Sequence, residues 1–217
     1  MNHLNVRISA IVIGLLLVVL QFSLPARAQL LEQLAPDALV AALQKEGYLI
    51  LLRHPETNPN QADTDPLNLN NTTAQRQLTD RGRAQAKSMG QALRDLKIPV
   101  GTVRTSMFIR AVEAAKLAGF DGAVSSPDFT EGGLVVTTVE NQRRASALKK
   151  ALATPPESGK NNIIISHRPN LLDAIGKDVF DVSEGEAIVA QPQAGDSFKL
   201  VGRVRIDAWT VMASGKK

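Results

Sequence analysis

The chain has 217 residues, 44% hydrophobic and 21% charged, with a formal net charge of +4 and no cysteine. That length suits one domain with a sizeable core, and the lack of cysteine excludes disulfides, thiol nucleophiles and thiolate-bound metals. The charge is small and no basic run is interleaved with aromatics, so nucleic acid is not an expected partner.

In the first 28 residues, Arg7 precedes the apolar run Ile8 to Leu20, and Ala26-Arg27-Ala28 gives a small-x-small end before Gln29. This is the order of a secretory signal peptide, and the run is short for a bilayer span. The expected organisation is a signal peptide over 1–28 and a single domain over 29–217, exported to the periplasm or outside the cell. A membrane partner is expected only if the segment is retained. Removing it takes away Arg7 and Arg27 and no acid, so the charge falls from +4 to +2.

Pro36 to Glu46 reads as a helix with Leu39, Ala42 and Leu43 on one face and Gly47 at its end. Tyr48 to Leu52 is a strand. Residues 55–78 form a polar loop, long enough to be functional or disordered. Thr79 then caps a helix with an apolar stripe of Ala86, Met89, Leu93 and Leu96, stopped before Pro99. Val100 to Thr105 is a strand. Ser106 is expected to cap a helix running to Ala118, with Phe108, Val112 and Ala115 inward. Ala123 to Ser125 reads as a short strand, Pro127 to Val139 is ambiguous, and Glu140 to Leu152 is helical. Arg143-Arg144 and Lys149-Lys150 read as that helix's solvated face. Asn162 to Ile165 is a buried strand, and Pro169 opens a short helix. Ala187 to Ala190 and Phe198 to Ile206 read as closing strands, the second at an edge, before a frayed tail over 214–217. Strands alternating with helices predict an α/β fold: a three-layer α/β/α sandwich around a mostly parallel central sheet.

Three β-to-α junctions carry the chemistry. The first holds Arg53, His54 and Asn60; the second Ser106 and Arg110; the third His167 and Arg168. Side by side, these strand ends would gather guanidinium and imidazole groups in one volume, where open α/β sheets bind ligands. Guanidinium forks suit phosphate oxygens, and helix N-termini would add unpaired N–H groups. A neutral imidazole there can also act as a nucleophile. His54 and His167 each directly follow a strand-like run and are the candidates.

These residues form four motifs in order. They are Arg53-His54-Pro55-Glu56-Thr57-Asn58-Pro59-Asn60, Leu78-Thr79-Asp80-Arg81-Gly82-Arg83-Ala84-Gln85-Ala86, Ser106 to Arg110-Ala111, and Ile163-Ile164-Ile165-Ser166-His167. Over roughly residues 48–206 the chain resembles the histidine phosphatase superfamily, the phosphoglycerate-mutase-like enzymes. The resemblance implies a phosphatase that works without metal or cofactor on a small phosphorylated substrate, through a phosphohistidine at His54. Arg53, Arg110 and His167 would complete the phosphate pocket, with Asn60 and Arg168 as further substrate contacts. Glu131 fits the segment that carries the general acid, with Glu140 and Asp128 as rivals. Pro55 stands where the family has glycine, which removes an N–H and fixes φ. The family's threonine after Arg110-Ala111 is also missing, with Glu113 and Ala114 in its place. A phosphomonoester hydrolase is the leading expectation. The alternative is a non-catalytic phosphoester-binding module of the same fold, prompted by Pro55 and the open identity of the acid.

Overall fold

In chain order the elements of the computed structural model are α1 (Pro36–Lys45), β1 (Leu49–Arg53), α2 (Asp80–Asp95), β2 (Val100–Thr105), α3 (Ile109–Leu117), β3 (Val124–Ser125), α4 (Thr138–Ala153), β4 (Asn161–Ser166), α5 (Arg168–Ile175), β5 (Ala187–Gln193), β6 (Ser197–Val204) and α6 (Ile206–Ser214). The residues described are 33–132 and 135–215, so the expected signal segment and its cleavage site lie outside them.

The sheet order is β3-β2-β4-β1-β5-β6. β1, β2, β3 and β4 run parallel, while β5 and β6 are antiparallel additions at one side. A parallel sheet needs cover on both faces, which explains why β1 and β4 are apolar at successive positions. Side chains alternate between faces along a strand. Ile50 and Leu52 of β1 and Ile163 and Ile165 of β4 therefore pack with α1, α2, α3 and α6. Leu49, Leu51 and Ile164 point the other way, onto Leu148 and Leu152 of α4 and Leu171 and Ala174 of α5. This is the expected three-layer α/β/α sandwich. Each fully buried Leu or Ile contributes roughly 1.5–3 kcal/mol, so the strands that carry the site are also among the most firmly held.

Two expectations change. The helix after β2 does not start on Ser106: its N-cap is Phe108. Ser106 Oγ instead accepts the Phe108 N–H at 3.1 Å, holding a short extended link. The later start rotates the buried face onto Arg110, Ala111, Ala114 and Ala115, and leaves Val112 37% exposed. At the C-terminus, β6 stops at Val204 and residues 206–214 form α6. Its buried residues Ile206, Trp209 and Ala213 recur at helical spacing and pack towards α2. The alternation of β6 runs directly into this pattern, so the change of period was masked.

The 55–78 loop is built, not slack. Thr57 bridges to Leu78, residues Thr72–Ala74 form a 3-10 turn, and Thr64 N–H donates to Ala74 O at 2.8 Å.

Candidate active site

Strand register assembles the site. β1 and β4 are parallel neighbours with Arg53 opposite Ser166, so the next residues, His54 and His167, emerge side by side. Their ring centroids are 5.2 Å apart. β2 lies on the other side of β4, with Thr105 opposite Ile165, which brings Ser106 to the same sheet end.

The second motif braces the first. Thr79 caps α2 by accepting the Gly82 N–H at 2.9 Å, and Thr79 N–H donates to Glu56 O at 3.0 Å. A Cβ on Gly82 would lie 2.1 Å from Glu56 O, so only glycine permits this approach. The first turn of α2 thus fixes the chain two residues beyond His54.

His54 is 4% exposed. Its Nδ1 lies 2.9 Å from Pro55 O. A carbonyl only accepts, so Nδ1 carries the proton and Nε2 keeps its lone pair. Proline removes an N–H but leaves the carbonyl, so Pro55 provides this contact despite departing from the family glycine. Burial first, then the Arg110 charge, pushes the His54 imidazole down to about 3, with Arg53 and Arg76 adding to the effect against the Pro55 hydrogen bond. The ring is neutral at neutral pH.

His167 is 1% exposed. Its Nε2 lies 2.6 Å from Ser106 Oγ, and Phe108 stands edge-on at 5.4 Å. Burial, followed by Arg110 and His54, holds it well below the usual histidine range. Its Nδ1 lies 3.4 Å from Glu131 Oε1 without the alignment of a hydrogen bond.

Arg53 donates through Nη1 to Val182 O at 2.8 Å and lies 3.5 Å from Glu184 Oε1. Glu184 in turn accepts from the Thr57 N–H at 3.1 Å and hydroxyl at 2.7 Å. Arg110 is fully buried and 4.3 Å from the Phe108 ring centroid. Its Nη1 donates to Asp63 Oδ1 at 3.0 Å, and its Nη2 donates to Glu131 Oε1. The backbone beside Glu131 is pinned, because Thr130 O accepts from Arg144 at 2.7 Å and from Asn170 at 3.2 Å. Arg144 is therefore a packed anchor and not part of a solvated face.

Arg53, His54, Arg110, His167 and Glu131 are thus brought together. Four expected contributors are not. Asn60 is exposed, and only its backbone N–H is engaged, with Asn58. Arg168 turns outward and clamps Phe180 O through Nε at 2.8 Å and Nη2 at 2.6 Å. Asp128 and Glu140 pair with Arg143 on the surface, where Arg143 and Arg144 hold the Glu140 carboxyl at about 2. Two of the N–H groups at the entry to α3 are also taken. Met107 N–H donates to Thr130 Oγ1 at 2.9 Å, and Ile109 N–H donates to Gln75 Oε1 at 2.6 Å. Asp63, Thr130 and Glu184 join the site unforeseen, and all three are ordinary polar residues of loops.

Arg53 Nε, Arg110 Nε and His167 Nδ1 are buried without a hydrogen-bond partner. Buried donors left unpaired are costly, and an oxyanion is the ligand that would satisfy several at once.

The model of the histidine phosphatase superfamily (branch 1) matches residues 49–132, which span the first three motifs. The fold is shared with the protein histidine phosphatase SixA complexed with tungstate, at TM-score 0.53 and 18% identity over 74% of this chain and 98% of that one. It is also shared with the open reading frame Rv3214 from Mycobacterium tuberculosis (TM-score 0.52, 21% identity, 71% and 95% of the two chains) and with Bacillus stearothermophilus YhfR (0.51, 15%, 70% and 94%). No curated protein sequence matches the chain. The fold likeness adds architecture alone, and the motifs that the family model spans meet at one sheet end, so over residues 49–132 the chain is similar to the histidine phosphatase superfamily in both sequence and placement of the motifs.

Proposed function

We propose that the protein hydrolyses phosphomonoesters through a phosphohistidine formed on Nε2 of His54. The observation that carries this reading is the bond from His54 Nδ1 to Pro55 O. It directs the lone pair to Nε2, and burial keeps the ring neutral. Nε2 attacks phosphorus as the bond to the ester oxygen breaks, and the leaving alkoxide takes a proton from the carboxyl of Glu131. Water then attacks phosphorus and returns a proton to the Glu131 carboxylate, the P–N bond breaks, and orthophosphate departs with His54 neutral again. Covalent catalysis divides one difficult transfer into two easier ones. Arg53 and Arg110 stabilise charge on the equatorial oxygens, and such electrostatic stabilisation is the main source of rate in phosphoryl transfer. His167, held by its Nε2 contact with Ser106 Oγ, adds a further donor to the phosphoryl oxygens in the tautomer that carries its proton on Nδ1. Glu131, bound to Arg110 and beside His167, is placed to protonate the leaving oxygen. The 55–78 loop and the segment after Pro127 shape substrate choice.

Incubation with a ³²P-labelled aryl phosphate, followed by an alkaline denaturing quench that preserves the P–N bond, tests the reading. Label is expected on the peptide carrying His54, and none on His54→Ala. Phosphate binding without label or turnover would favour the binding-module alternative. Export belongs to the same proposal and is supported by the order Arg7, apolar run, Ala26-Arg27-Ala28. A mature N-terminus at Gln29 outside the cytoplasm is the expected result.

A further inference from the structure

Most arginines around the pocket have acceptors. Arg53 has Val182 O and Glu184; Arg110 has Asp63 and Glu131; Arg168 has Phe180 O. Arg76 differs. Among the described residues its guanidinium has no hydrogen bond or ion pair, and its Nε is buried without a partner.

The backbone that carries it is nevertheless fixed. Arg76 N–H donates to Asp63 Oδ1 at 2.8 Å, the same oxygen that accepts Arg110 Nη1 at 3.0 Å. The preceding Gln75 is fully buried. It donates to Leu69 O at 2.8 Å and accepts the Ile109 N–H at 2.6 Å, one residue before Arg110. Gln61 ties both flanks, donating to Gln75 O at 2.9 Å and accepting the Gln77 N–H at 3.0 Å. This much organisation holds a cation beside the start of α3. The Arg76 charge also lowers, as the smallest of the causes, the affinity of Arg53, His54 and His167 for protons, so its field acts on the pocket that Arg53 and Arg110 line. A guanidinium left without an acceptor among other cations is costly unless an anion joins it.

We infer that Arg76 is a third guanidinium of the phosphate pocket, donating from the loop to the phosphoryl group held at His54. The inference rests on the phosphatase reading above and extends it. It gives the 55–78 loop a direct part in binding, and it adds a charge-assisted bond to those of Arg53 and Arg110. Because the Arg76 side chain makes no hydrogen bond or ion pair among the described residues, its removal is expected to cost ligand affinity and not folding.

Titration calorimetry with inorganic phosphate at fixed ionic strength tests it on wild type, Arg76→Gln and Arg76→Lys. Lys149→Gln, an exposed position on α4, controls for loss of one charge. Arg76→Gln is expected to bind phosphate about 10–100-fold more weakly, as for loss of one charge-assisted hydrogen bond. Its melting temperature in phosphate-free buffer should be unchanged. Arg76→Lys should recover part of the affinity, and Lys149→Gln should match wild type. If Arg76→Gln does not fold, Arg76→Met, which keeps the apolar stem, is measured in its place. Affinity within twofold of wild type in the neutral variant would overturn the role of Arg76 while leaving the phosphate pocket intact. Absence of phosphate binding by wild type would instead sink the phosphatase reading, and the role of Arg76 with it.

Discussion

Acidification from about pH 7 to about pH 5 is expected to destabilise the protein by about 2 kcal/mol through His54 alone. In the unfolded chain a histidine titrates near its ordinary value of 6.5, whereas folded His54 is pushed down to about 3. Between those values the unfolded state holds a proton that the native state refuses. Stability therefore falls as pH falls through that window. Above it both states are neutral, and below it both are protonated, so the penalty stops growing. At about pH 5 the unfolded population is favoured by a factor of about 30, which is about 2 kcal/mol. That is a sizeable share of a typical total of about 5–15 kcal/mol. His167 is pushed down by burial and the same cations and adds a penalty of the same sign. Glu140, held at about 2 by Arg143 and Arg144, contributes its loss only below its ordinary 4.5. Urea unfolding in phosphate-free buffer at the two pH values measures the effect, and His54→Asn removes the titrating ring while keeping an N–H near Nδ1. Wild type should lose about 2 kcal/mol more than the variant on acidification. Equal losses would mean that folded His54 takes up its proton near the ordinary value, and the lowering of its proton affinity by burial and Arg110 would be refuted.

Glu131→Gln should slow hydrolysis of an alkyl phosphate by about 10²–10⁴-fold, the usual range for general acid catalysis, and affect an aryl phosphate much less. Parallel kcat/KM measurements on both esters decide it, and equal losses would remove Glu131 from the acid role. Gly82→Ala should destabilise despite the better helix propensity of alanine, since the new Cβ would lie 2.1 Å from Glu56 O. A cost of about 1–3 kcal/mol is expected in urea unfolding, with a loss of kcat because Glu56 is two residues from His54. A stabilised, fully active Gly82→Ala protein would contradict the close packing of α2 on the loop.

Much of the site was legible because it is built from strand ends. Apolar runs such as Leu49 to Leu52 and Ile163 to Ile165 cover both faces of a parallel sheet, and that burial leaves a sequence signal. Each run ends where the chain turns polar, so Arg53, His54 and His167 stood out, and Ser106 to Arg110 kept its motif spacing. Loop residues carry no such signal. Asp63, Arg76 and Glu184 read like any polar residue, and only the folded chain shows that Asp63 reaches Arg110 and Glu184 reaches Arg53. The same limit left Asp128 and Glu140 as rivals of Glu131, but Arg143 draws them to the surface while Thr130 is pinned at the pocket. Residue types and local periods thus determined the strands, most of the helices and the strand-end groups of the candidate site. Register set His54 against His167, the hydrogen bond to Pro55 O chose the free nitrogen, and the loop brought Asp63 and Arg76 to Arg110. These depend on contacts between residues far apart in the chain, which exist only once the sheet is assembled and the long loop is closed over its end.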